Sequence, residues 1–283
     1  MSHSFDLVIL DLDGTILDLY HAEAVSPAVR SAIAAVQNLG IPVTIGTGRT
    51  LAYLRQHLAH LLDLRTPAVT TQGAVIGEPQ TGRVLHEVTM PIAAARRVAA
   101  WVERERETTV FYFNEPDGET RLYQNIEAVD PQNRRFHDHV FGSPRLLVSS
   151  FLPRLSEPNA HPPLKFIIDN DPQLGRDLTP LLQREFGAEL YITRTHPRLV
   201  EGTALGVDKG TGVLALCRLL GIDPARVLAI GDNDNDIPML EVVGYAVAMG
   251  NATPGVKAVA DWIAPPIDED GAAVALHKLI LSR

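Results

Sequence analysis

Two acidic stretches stand out by residue type and spacing: Asp11-Leu12-Asp13-Gly14-Thr15 near one end of the chain and Gly231-Asp232-Asn233-Asp234-Asn235-Asp236 near the other. In extended backbone, residues two apart face the same side, so Asp11 and Asp13 would present their carboxylates together. Gly14 lets the chain turn sharply just after them. Neighbouring carboxylates repel, and without a cation one stays anionic while the other is pushed toward its acid form, which suits a nucleophile beside a general acid. One carboxylate from each stretch would suit Mg2+, which takes carboxylate and carbonyl oxygens, keeps some waters and commonly accepts a phosphate oxygen.

Each stretch has a plainer alternative. Asp11 and Asp13 alone could form a turn with a helix cap. Asp232, Asp234 and Asp236 alternate like the start of an EF-hand, but Ile237 stands at the sixth position where glycine is required and Val243 at the twelfth where glutamate is required, so the calcium-loop reading fails.

Rigid elements must position these side chains. Phe5 to Leu10 is an apolar run ending abruptly at Asp11, as a buried strand meeting a loop would. Ser26 and Pro27 open a predicted helix with Val29, Ala32, Ile33, Val36 and Leu39 at the 3.6 period, closed by Gly40. A strand over Ile41 to Gly46 follows, then Thr47-Gly48-Arg49 and a helical stretch with Leu51, Leu54, Leu58, Leu61 and Leu62. The alternation returns late in the chain: helix Lys209 to Leu220, strand Arg226 to Ile230, a short helix after Asp236, strand Tyr245 to Met249 and a helix from Gly271. This predicts an α/β fold with a parallel sheet whose functional loops lie at the strands' carboxyl ends. Between the halves, a helix from Pro91 to Glu107 and strands over Thr108 to Phe113, Arg121 to Gln124, Leu164 to Asp169 and Glu189 to Thr193 predict an inserted α+β domain. The expected division is residues 1–87 with 200–283, and 88–199.

Asp-Leu-Asp-Gly-Thr at the first strand end, Thr47-Gly48-Arg49 after the second, Lys209 opening a late helix and Gly-Asp-x-x-Asn-Asp together resemble the haloacid dehalogenase superfamily. Ile237-Pro238-Met239-Leu240, Ala248-Met249-Gly250-Asn251-Ala252 and Glu269-Asp270-Gly271 look like its Cof-type branch of sugar-phosphate phosphatases. The resemblance covers roughly residues 5–87 and 200–283. It implies a Rossmann-like core with an inserted cap that covers the site and selects substrate, and a Mg2+-dependent phosphatase in which Asp11 is the nucleophile and Asp13 the general acid/base. It further implies that Asp11, the backbone carbonyl of Asp13 and Asp232 hold the metal, with Asp236 supporting it, and that Thr47, Gly48, Lys209 and Asn235 hold the phosphate. Thr47 could also cap the following helix, and Arg49 could equally form a surface ion pair.

Hydrophobic residues at 46% and charged ones at 21% are the balance of a globular protein, and no apolar run is long enough to span a bilayer. The first residues carry no basic segment followed by an apolar stretch, so a cytoplasmic protein is expected. A net charge of −9 offers no broad cationic surface for nucleic acid, and the small phosphorylated metabolite expected as partner is what the resemblance implies. The lone Cys217, at helical spacing with Val213, Leu214 and Leu220, reads as a core residue. In the insertion, Arg134-Arg135-Phe136-His137-Asp138-His139 could meet a polar substrate but reads better as a solvated loop with exposed histidines. Arg104-Glu105-Arg106-Glu107 reads as a wet helix face, and Asp268-Glu269-Asp270 as a cap of the final helix.

A phosphomutase of the same superfamily and a non-catalytic phospholigand-binding protein remain alternatives. A dinucleotide-binding oxidoreductase, suggested by Gly46-Thr47-Gly48, is opposed by Leu51 at the third glycine position and by the lack of an acidic residue over Arg65 to Thr71.

Overall fold

The computed structural model describes residues 5–18, 24–115, 119–128, 131–142, 144–170, 177–196 and 198–282. The expectations for the first four residues and for the side chain of His139 lie outside the described residues.

The elements run β1 (Leu7–Leu10), α1 (Pro27–Asn38), β2 (Val43–Ile45), α2 (Leu51–His57), β3 (Ala68–Thr70), β4 (Val75–Gly77) and β5 (Val84–Glu87). They continue with α3 (Ile92–Glu105), β6 (Thr109–Asn114), β7 (Thr120–Gln124), α4 (Pro131–Phe141), β8 (Arg145–Leu147), α5 (Leu152–Ser156), β9 (Lys165–Asp169), α6 (Thr179–Phe186), β10 (Leu190–His196) and β11 (Leu199–Ala204). The last set is α7 (Lys209–Leu220), β12 (Val227–Gly231), α8 (Ile237–Glu241), β13 (Tyr245–Ala248), α9 (Pro254–Val259), β14 (Trp262–Ile263) and α10 (Gly271–Leu276), which runs on as a π-helical turn, His277–Leu281. The chain forms two compact units, Met1–His86 with Asp208–Arg283, and Glu87–Val207.

The first unit carries the parallel sheet, in the order β14-β13-β12-β1-β2. All of β1 is buried, as a central strand covered on both faces must be. Its register sets Leu10 beside both Ile230 and Ile45. The residues that follow these three, which include Asp11, Asp232 and Thr47, therefore emerge at one edge of the sheet, where open α/β folds place their functional loops. A single parallel bridge, Gly46 to Val69, links in the small sheet β3-β4-β5, which sequence reasoning did not find. In α1, Ser26 accepts the amide of Val29 and the predicted apolar face is buried, except that Leu39 is the C-cap and 61% exposed. Gly40 follows it at φ +80°, the left-handed position that ends helices.

The second unit is a six-stranded sheet, β10-β11-β9-β6-β7-β8, antiparallel but for the β7–β8 pair. One face packs Phe111, Phe113, Phe166, Ile168 and Val200 with α3 residues such as Val98 and Val102. Here the expected boundary at residue 200 is corrected to 208: β11 pairs antiparallel with both β9 and β10, and its ladder hydrogen bonds tie it to this unit. The expected loop at Arg134 to His139 is also corrected, because it lies in α4. There His137 is 3% exposed, its Nε2 bonded to Asp169 at 2.9 Å. Glu107 departs from the wet face as well: Arg106 ends α3 at φ +59° and Glu107, beyond it, is buried. Cys217 is buried and free, as expected.

Candidate active site

Asp11 leaves the end of β1 with its amide bonded to the carbonyl of Ile230 (2.9 Å), so the strand itself fixes where its carboxylate points. Lys209 arrives on the first turn of α7. That turn is pinned by a reciprocal cap: the side chain of Asp208 accepts from Thr211 N at 2.7 Å, and the Thr211 hydroxyl accepts from Asp208 N at 3.0 Å. The ammonium is 1% exposed and donates to Asp11 Oδ1 and Asp236 Oδ1, both at 2.5 Å. A cation is unfavourable at a helix N-terminus, so these two carboxylates are what keep it there.

Asp236 organises the second acidic loop. Its Oδ2 accepts from the amides of Asp232 (2.9 Å) and Asn233 (3.1 Å), while Oδ1 takes Lys209. Asp232 Oδ1 accepts from the Thr15 hydroxyl at 3.1 Å. Gly14, at φ +90°, passes so close to the Asp232 carboxylate that a Cβ there would collide with it. Carboxylate oxygens of Asp11, Asp232 and Asp236 lie within 4.8 Å of one another.

The charge balance is the telling feature. Burial pushes the Asp11 carboxyl up to about 7, with the Asp236 charge adding to it and Lys209 opposing. Burial likewise raises Asp232 well above the usual range, helped by Asp11 and Asp236. Burial works against the Lys209 charge, yet Asp11 and Asp236 hold it above the ordinary lysine range. Three crowded carboxylates face one ammonium, and the second oxygens of Asp11 and Asp232 have no hydrogen-bond donor among the described residues. Hard oxygen donors with surplus negative charge fit Mg2+. Both oxygens of Asp236 are engaged, which leaves it better suited to shape the loop than to ligate.

Asp13 stands apart from this cluster. Arg49 grips its carboxylate as a fork, with Nε at 2.8 Å from Oδ2 and Nη2 at 2.7 Å from Oδ1, and stacks its guanidinium 4.2 Å from the Tyr53 ring. Arg49 thus does form an ion pair, with the candidate residue Asp13 and in a partly buried setting. Thr47 is buried, and its hydroxyl accepts the amide of Arg49 at 3.1 Å. The cap of α2 is Thr50, which accepts from Tyr53 N at 3.2 Å, so the capping alternative for Thr47 is withdrawn. Gly48 lies against the side chain of Gln72, and Asn235 donates to Gln72 Oε1 at 3.1 Å.

Gln72 and Thr15 were given no role from sequence. Gln72 lies in a turn whose backbone strain no pattern of residue types announces, and Thr15 reads as part of its motif until its hydroxyl is seen on Asp232. Asp270 does not cap α10 with its side chain; it accepts from Ser26 Oγ at 2.5 Å. Among the described residues no helix is long and apolar enough to cross a membrane.

The profile of the haloacid dehalogenase-like hydrolase family matches residues 8–276. The phosphoglycolate phosphatase of Methanopyrus kandleri is 31% identical over 97% of this chain and 97% of its own length. The 5-amino-6-(5-phospho-D-ribitylamino)uracil phosphatase YcsE of Bacillus subtilis is 29% identical over 97% and 96%. Among solved structures, a haloacid dehalogenase-like hydrolase from B. subtilis superposes with a TM-score of 0.82 at 25% identity, covering 97% of this chain and all of the other.

Proposed function

Because the chain belongs to the haloacid dehalogenase-like hydrolases, we propose that it is a Mg2+-dependent phosphatase of the Cof-type branch, acting in the cytosol on a small phosphorylated metabolite, by class a sugar phosphate. The observation that carries this reading is the Lys209 ammonium bridging Asp11 and Asp236 beside Asp232, with one oxygen of Asp11 left for attack.

In the first step a carboxylate oxygen of Asp11 attacks phosphorus and the bond to the ester oxygen breaks, while Asp13 gives its proton to that oxygen as the alcohol leaves. In the second, Asp13 takes a proton from water, the oxygen attacks the aspartyl phosphate, and inorganic phosphate departs with Asp11 restored. Lys209 holds Asp11 in line and offsets charge on the phosphoryl oxygens, and Thr47, Gly48 and Asn235 orient them. Asp11, the carbonyl of Asp13 and Asp232 would hold Mg2+, which supplies positive charge to the phosphoryl group. In the resting site both oxygens of Asp13 accept from the Arg49 fork, so Asp13 acts as the acid only once that fork opens. The inserted unit, Glu87–Val207, would select the substrate. The two curated relatives, phosphatases of phosphoglycolate and of a phosphoribitylamino-uracil, support a small phosphomonoester.

Purified protein with Mg2+ should release phosphate from p-nitrophenyl phosphate and from a panel of sugar phosphates, and chelation by EDTA should abolish release. Asp11→Asn should lower kcat by roughly a thousandfold or more. Turnover undiminished by that substitution defeats the mechanism.

A further inference from the structure

Directly after β3 the chain runs Thr71-Gln72-Gly73 through three successive left-handed positions, at φ +54°, +59° and +94°. Glycine accepts such a backbone freely; a β-branched threonine and a glutamine do not. The turn is held in place by its surroundings. Thr71 N donates to the carbonyl of Arg49 (2.9 Å) and Gln72 N to that of Thr47 (3.1 Å), which binds the turn to the Thr47-Gly48-Arg49 segment. On its other side Gly73 meets the start of α7, where a Cβ would collide with the carbonyl of Asp208, next to Lys209. The strained turn is thus wedged between two segments that carry site residues.

What the turn delivers is the Gln72 carboxamide. It is 4% exposed, with Oε1 accepting from Asn235 Nδ2 at 3.1 Å. Its Nε2 lies so near Gly48 that a Cβ on Gly48 would stand 2.5 Å from it, which explains why residue 48 has no side chain. We infer that Gln72 is a positioning residue of the phosphoryl pocket: its carboxamide spans from Gly48 to Asn235 and sets the spacing between these two phosphate-orienting groups. The assignment rests on the phosphatase reading above. A turn needed only for folding would be better served at position 72 by glycine, which lacks the strain.

The test compares Gln72→Gly and Gln72→Asn with the parent. It reads melting temperature, KM and kcat on p-nitrophenyl phosphate, and the concentration of orthophosphate that half-maximally raises the melting temperature in Mg2+. Gln72→Gly should melt at or above the parent temperature because its backbone strain is relieved. Its KM and its half-maximal orthophosphate concentration should each rise about tenfold, the size of one well-made hydrogen bond. Gln72→Asn retains an amide on a residue that tolerates left-handed backbone, and should recover part of the orthophosphate affinity. A folded Gln72→Gly with parental KM and parental orthophosphate protection overturns the assignment, as does Gln72→Asn behaving no better than Gln72→Gly. If the parent is protected by orthophosphate yet turns over no phosphate ester, the phosphatase reading falls, and the protection data still decide the role of Gln72.

Discussion

At Lys209 Nζ one ammonium meets two carboxylates with almost no contact with water. Removing one partner of such a cluster costs more than the cluster contributes, because the remaining charges stay buried without compensation. Lys209→Met keeps the length and apolar stem of the side chain and deletes the charge, leaving Asp11 and Asp236 to repel. We expect it to destabilise the protein by roughly 3–5 kcal/mol in urea unfolding without Mg2+. A loss below about 1 kcal/mol would mean that these carboxylates do not depend on the lysine. Activity should be lost with it, since the same ammonium orients Asp11.

Elements dock through polar contacts that sequence patterns do not announce, and α4 shows this. Its residue His137 meets Asp169 at the end of β9, and Asp169 also takes Arg198 Nη2 at 2.6 Å and Nε at 3.1 Å. Burial alone would raise the Asp169 carboxyl, but the hydrogen bonds and charges of His137 and Arg198 win and hold it below its ordinary value of 3.8. A carboxylate with a depressed folded pKa adds stability that is fully present above its unfolded pKa and is lost as pH falls through the folded one. The stability gap between the parent and Asp169→Asn should therefore be widest at neutral pH and close progressively below about pH 4. Urea melts of both proteins at pH 7 and pH 3 check this, and a gap independent of pH rules it out. The helix itself was hidden because Arg134, Arg135, Asp138 and two histidines look like a wet surface until Asp169, distant in sequence, supplies a buried partner for one of them.

At the scale of the molecule, the described residues form two hydrophobic clusters, one built around β1 and β12 and the other around Phe111, Phe113 and Phe166. Phe166 is fully buried in the second, its ring centroid 5.8 Å from that of Phe111. Phe166→Ala should cost roughly 3–5 kcal/mol through lost contacts and the cavity left behind. Hydrogen exchange should then quicken across β6 and β9 while the amides of β1 and β12 keep their protection. Equal acceleration in both units would show that they unfold as one.

Local features were legible in the residues alone. The stop of β1 at Asp11, the cap of α1 at Ser26, the span of α7 from Lys209 to Leu220 and the strand–helix alternation all follow from apolar period, capping side chains and glycine, which act over a few neighbouring positions. The candidate site residues rest on motif resemblance, not on any local physical pattern. Tertiary structure alone decided which atoms meet: Lys209 and Asp11, 198 positions apart, share a hydrogen bond because parallel pairing aligns the ends of β1 and β12 and α7 starts beside them. It also decided that β11 belongs with the inserted unit, that His137 is buried, and that Gln72 reaches Gly48 and Asn235 from a strained turn. Burial, strand pairing and tolerated strain depend on neighbours far away in the chain, and no local pattern of residue types encodes them.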